Sequence, residues 1–141
     1  MAIKGINYCS EHEIQKNIVN IMRMNGYMSI NTDVFFGLKF LGNNQPKRLA
    51  FIGQMKALGA TVGVPDLIFL KNGEILFVEM KNAQGRLSSD QKAIIKDLTS
   101  WGFNVQVWRG IDDCIAYLEW SRSSHSKGSS LSSTSESTNN L

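Results

Sequence analysis

Apolar residues recur at helical spacing in Ile14, Ile18, Ile21 and Met22, which predicts a first helix from about Ser10 to Asn25. Ser10 with Glu13 three positions on has the form of a capping box, and Gly26 supplies a stop. Tyr27–Ile30 and Val34–Phe40 read as strand-prone pieces broken by Asn31, Gly37 and Gly42. Pro46 suits the first turn of a second helix over Lys47–Leu58, with Leu49, Ile52, Met55 and Leu58 toward one side and Gly59 after it. Two β-rich apolar runs follow, Leu67–Leu70 and Ile75–Val78, on either side of Lys71-Asn72-Gly73-Glu74. A third helix opens at Leu87–Gln91, places Ile94, Ile95 and Leu98 inward and ends at Gly102. Phe103–Trp108 is another strong strand, and Asp113–Trp120 a short last helix packing Ile115 and Leu118. Strand, helix and strand from Glu79 to Trp108 predict a right-handed crossover with parallel pairing, hence an α/β fold.

The Asn72-Gly73 pair carries the most geometric information. Asn-Gly between two apolar runs signals a two-residue hairpin turn, because both turn positions need φ > 0. With those two as the loop, Lys71 faces Glu74, Leu70 faces Ile75, Ile68 faces Phe77 and Asp66 faces Glu79. Directly opposed residues share a side of the sheet, with Cβ atoms roughly 5 Å apart. Lys81 returns to that side because strand side chains alternate. Two carboxylates and an amine therefore meet at one end of a hairpin. Carboxylates so placed repel, so one takes a proton or a cation lies between them. Hard oxygen donors suit Mg²⁺ or Mn²⁺, with Lys81 to orient or deprotonate an attacking water. An ordinary ion pair of Glu79 with Lys81 explains less. Leu76, Phe77, Val78 and Met80 mark a strand buried on both faces, a costly place for an idle charge.

Composition narrows the field only a little. A chain of 141 residues with 43% hydrophobic content is one domain, read here as residues 1–120 followed by a disordered, serine-rich tail at 121–141. A net charge of +3 permits nucleic acid as a partner without demanding it. Cys9 and Cys114 lack metal-site spacing and a nearby His cluster, so a disulfide framework or a zinc site is not expected and a reducing compartment is. No apolar run is long enough for a membrane span, and there is no signal-peptide pattern. No phosphate loop of the GxxxxGK[ST] type is present, which weighs against nucleotide-triphosphate chemistry.

Pro65-Asp66 followed by Glu79-Met80-Lys81 resembles the P-D…(D/E)-x-K signature of restriction-endonuclease-like nucleases. More narrowly, Gly63-Val-Pro-Asp-Leu, Val-Glu-Met-Lys, Gly85-Arg-Leu-Ser and Gln91 resemble the VRR-NUC family, from about Ser10 to about Gly110. The resemblance implies a restriction-endonuclease-like α/β core, a small mixed sheet flanked by helices. It implies a Mg²⁺- or Mn²⁺-dependent endonuclease acting on DNA, structure-selective for branched or flapped substrates in phage or repair-type DNA processing. It further implies a homodimer, in the cytoplasm of a bacterial or phage-infected cell.

The same resemblance assigns roles to residues. Asp66 and Glu79 would hold the metal with the main-chain carbonyl of Met80, and Glu11 would add a ligand directly or through water. Glu11-His12-Glu13-Ile14-Gln15 matches the family's E-x-x-x-Q on the first helix. At 100° per residue Glu11 falls near the middle of the apolar stripe and Gln15 at its edge. Read by itself, Glu11 is also a favourable first-turn charge. Gln91 would lie beside the active site and Arg86 or Ser88 near the substrate phosphate, although Ser88 with Gln91 is a capping box on its own. Among Lys39, Lys47, Arg48 and Lys56, any of which is equally a solvated charge, Arg48 is the leading candidate for a phosphate contact. Two other classes compete with a nuclease: a catalytically silent DNA-binding or scaffold module of the same fold, and a hydrolase of small phosphorylated molecules.

Overall fold

The computed structural model describes residues 10–128. Helix α1 (Glu11–Met24) begins at Ser10 with the expected capping box: the Ser10 side chain accepts from the Glu13 amide, and the Ser10 amide donates to the Glu13 carboxylate at 3.0 Å. Strand β1 (Met28–Asn31) is followed by a 3₁₀ helix (Val34–Leu41), helix α2 (Gln45–Ala57), strands β2 (Leu67–Lys71) and β3 (Glu74–Met80), helix α3 (Ser89–Ser100), strand β4 (Asn104–Trp108) and helix α4 (Ile111–Gly128). The strands form one mixed sheet in the order β1-β2-β3-β4, antiparallel except for the parallel β3–β4 pair.

Asn72 and Gly73 take φ values of 48° and 81°, as a two-residue turn requires. The register follows by counting, with Lys71 opposite Glu74, Leu70 opposite Ile75 and Ile68 opposite Phe77. One face of the hairpin (Leu67, Phe69, Leu76, Val78, Met80) is buried against Ile18 and Met22 of α1 and Cys114, Tyr117 and Leu118 of α4. Trp108 joins this core, its ring stacked at 6.1 Å on Phe69. Losing such a side chain to alanine costs about 3–5 kcal/mol. On the other side of the sheet the residues alternate in phase with Glu79, and Phe77 meets Phe103 edge to face at 5.5 Å. Ile94, Ile95 and Leu98 of α3 are half-buried, as their spacing predicts.

Three segments depart from the sequence expectation. Val34–Phe40, read as strand-prone, is the 3₁₀ helix. Its apolar residues do not alternate, and the chain leaves the sheet at once: the Asp33 amide donates to Asn31 Oδ1 and the Val34 amide to the Thr32 carbonyl. Gly37 leaves room for the Phe51 ring, which would lie 3.1 Å from a Cβ there. The stripe expected on α2 is only partly used. Arg48, Phe51, Ile52 and Met55 form the half-buried side, whereas Leu49 and Leu58 are exposed.

The last helix is longer than Asp113–Trp120, and Ile115 is exposed while Cys114, Tyr117, Leu118 and Ser121 turn inward. Residues 121–128, assigned to a disordered tail, complete α4. Contacts distant in sequence hold this weak helix-former: Arg122 donates to Asn25 Oδ1 at 2.7 Å, and His125 Nε2 lies 2.8 Å from Glu74 Oε1. The rest of the expected tail, residues 129–141, lies outside the described residues.

Candidate active site

Asp66 sits one residue before β2, where the register carries it opposite Glu79. Its Oδ2 accepts from the Met80 amide at 2.9 Å, so the carboxyl is fixed across the end of the hairpin. Thr32 holds the preceding backbone, with its amide donating to the Asp66 carbonyl at 2.9 Å and its hydroxyl to the Pro65 carbonyl. Burial raises the Asp66 pKa, as do the charges of Glu11 and Asp33, against the Met80 hydrogen bond and Lys81, which lower it.

Glu79 lies in the interior of the central strand and is 1% exposed. Its Oε1 takes two partners, Lys81 Nζ at 3.0 Å and Gln91 Nε2 at 2.7 Å. Its Oε2 is buried with no hydrogen-bond partner. Burial first, and the Asp66 charge second, push its pKa up to about 7, even though Lys81 opposes both. An orphaned carboxylate oxygen beside a second carboxylate is what a hard cation would satisfy. The donor set therefore fits a divalent metal, with Asp66 and Glu79 to hold it. Among the described residues, however, no three His, Cys, Asp or Glu side chains converge as ligands. Glu11 acts on Asp66 through its charge without joining it and Glu79 in such a cluster.

Gln91 serves two structures at once. Its backbone amide donates to the Ser88 hydroxyl oxygen at 3.2 Å and its Oε1 accepts from the Ser88 amide at 2.9 Å, which closes the capping box of α3. The remaining Nε2 reaches Glu79. The capping reading of this residue is realised, and its side chain also contacts the buried carboxylate of the candidate site. Gly63 places the helix end: at φ 89° its missing Cβ would stand 2.6 Å from the Asp90 carbonyl carbon and 2.9 Å from the Gln91 amide nitrogen.

Past Lys81 the chain folds back over it. A Cβ on Gly85 would lie 3.2 Å from Lys81 Cδ, and Arg109 Nη1 donates to the Asn82 and Gly85 carbonyls at 3.0 and 2.5 Å. Thr32, Gly63 (as a helix contact) and Arg109 carry no motif that identifies these positioning roles. Ser88 is the N-cap of α3 and Arg86 is exposed nearby. Gln15 is half-buried one turn along α1 from Glu11. Arg48 is engaged elsewhere, with Nη1 donating to the Leu38 and Gly42 carbonyls at 2.9 and 3.0 Å.

A mixed four-stranded sheet flanked by helices, with Asp66, Glu79 and Lys81 at one end of its central hairpin, is consistent with a restriction-endonuclease-like core. The VRR-NUC domain model matches residues 38–112, and the chain belongs to that family. The matched segment contains Asp66, Glu79, Lys81 and Gln91 but begins after Glu11 and Gln15. No curated protein and no solved structure matches the chain.

Proposed function

We propose that this nuclease is a Mg²⁺- or Mn²⁺-dependent endonuclease that hydrolyses phosphodiester bonds in DNA, selective for branched or flapped substrates and active as a homodimer. One observation carries the metal dependence: Glu79, almost fully buried, keeps one oxygen unpartnered next to Asp66. A charge so placed is expensive unless a ligand completes it. Asp66 and Glu79 would hold the metal, with the Met80 carbonyl as a neighbouring donor and Glu11 contributing through water. The bound cation would acidify water and offset charge building on the phosphate.

The chain's own residues do the rest. Lys81, tethered to Glu79 and roofed by the Asn82–Gly85 turn, presents an ammonium that orients a water or shields developing negative charge. Gln91 keeps Glu79 Oε1 engaged, which leaves Oε2 as the free donor. Ser88 and Arg86, at the start of α3, lie where a helix N-terminus favours a phosphate.

The direct test is cleavage of labelled single-stranded, duplex, 5′-flap and four-way-junction DNAs with Mg²⁺, with Mn²⁺ and with EDTA. Cutting with metal alone, fastest on a branched substrate, is the expected result. DNA binding without cutting in either metal would favour a silent binding module instead.

A further inference from the structure

Between α1 and the 3₁₀ helix lies a groove of about 580 Å³ that the catalytic arrangement does not use. Its charge is of one sign. Lys16, Arg23 and Lys39 line it, and no carboxylate does among the described residues. Its walls are built on elements that also reach the active site. Gln15 on its wall is one helical turn from Glu11, whose charge acts on Asp66. Asn31, also on its wall, precedes Thr32, whose amide holds the Asp66 carbonyl.

The groove is aromatic as well as basic. Phe36 is 45% exposed, with the His12 ring edge-on at 6.1 Å and Lys39 Nζ 4.4 Å from its centroid. Phe40, inclined at 67° to Phe36 with ring centroids 6.0 Å apart, is 80% exposed and extends this surface. Cations alone would suit any polyanion. Partly exposed rings among cations suit unpaired bases, because bases in a duplex are already stacked on one another.

We propose that the His12–Lys16–Arg23–Phe36–Lys39 groove is a track for an unpaired DNA strand, leading it to or from the carboxylate site. Lys16, Arg23 and Lys39 contact successive phosphates, and a base stacks on Phe36. The assignment rests on the nuclease reading and deepens it, since it puts a single-stranded arm in the substrate.

The test is anisotropy of a labelled oligothymidylate and of a blunt hairpin duplex in EDTA over a salt series. Wild type is compared with Lys16→Ala/Lys39→Ala, Phe36→Ala and Phe36→Tyr. For single strand, the double charge variant should flatten the slope of log affinity against log salt by about 1.4, two phosphates at about 0.7 each. Phe36→Ala should weaken single-strand binding about tenfold or more while changing duplex binding less than twofold, and Phe36→Tyr should restore it. An unchanged slope together with unchanged affinity, or equal losses on duplex, would overturn the track. Metal-dependent cutting by wild type, measured alongside, separates the two claims: cutting with unchanged groove variants removes only the track. The predicted binding changes without any cutting remove only the nuclease reading.

Discussion

Gln91 Nε2 donates to Glu79 Oε1 at 2.7 Å while Gln91 Oε1 accepts from the Ser88 amide at 2.9 Å. One side chain thus joins the cap of α3 to the buried carboxylate of β3, and helix stability and site geometry share an atom group. The two roles separate by substitution. Gln91→Glu keeps a cap acceptor but sets a carboxylate against Glu79, so stability should hold within about 1 kcal/mol while cleavage falls about tenfold or more. Gln91→Ala should lose about 1–2 kcal/mol as well. Urea denaturation beside single-turnover cleavage reads both.

Gly63 should tolerate no side chain. A Cβ would stand 2.6 Å from the Asp90 backbone, and φ 89° is left-handed. Gly63→Ala should destabilise by about 2–4 kcal/mol from strain and overpacking together, and cleavage should fall even where the protein remains folded. Gly73→Ala at the hairpin tip, where nothing lies within 4 Å, controls for conformational strain alone. An equal loss at both sites would remove the contact with α3 from the explanation.

Metal-free stability should decline from pH 4.5 to about 7. Glu79 is raised from 4.5 to about 7, so across that window the unfolded chain ionises it while the folded chain keeps it protonated. Fewer protons bound in the unfolded state means stability falls as pH rises, then levels off above the folded pKa. The raised Asp66 acts in the same direction from 3.8 upward. The Glu79 share has a ceiling of about 3 kcal/mol. Urea denaturation in EDTA should show the decline in wild type and a shallower one in Glu79→Gln.

Cys114 is fully buried and burial pushes its thiol up to about 11. In a Cys9→Ser background, iodoacetamide at pH 8 should leave folded protein unlabelled and modify it only as it unfolds. Rapid labelling without denaturant would show that α4 detaches from the sheet.

The geometry of the candidate site was legible because an Asn-Gly turn sets register, and register alone carries Asp66 opposite Glu79 and returns Lys81 to the same side. Capping patterns were equally local, which is why Ser10 with Glu13 and Ser88 with Gln91 close as read. What escaped depends on contacts distant in sequence. Val34–Leu41 coils where Phe51 fills the space over Gly37 and Arg48 holds the Leu38 carbonyl and that of Gly42 just after the segment. Arg48 read as a phosphate contact for its charge alone, and its Nη1 donates to the Leu38 and Gly42 carbonyls. Residues 121–128 are helical because Asn25 and Glu74 receive Arg122 and His125, and serine content says nothing of either.

The central claim is that Asp66, Glu79 and Lys81 form one metal-dependent cutting site. The measurement that tests it most directly is single-turnover cleavage of the preferred DNA in Mn²⁺ by wild type and Lys81→Ala, with folding checked by thermal denaturation. The account predicts a folded variant that binds the DNA and cuts it at least about a hundredfold more slowly. Equal cutting by the two proteins would contradict it and place the chemistry elsewhere.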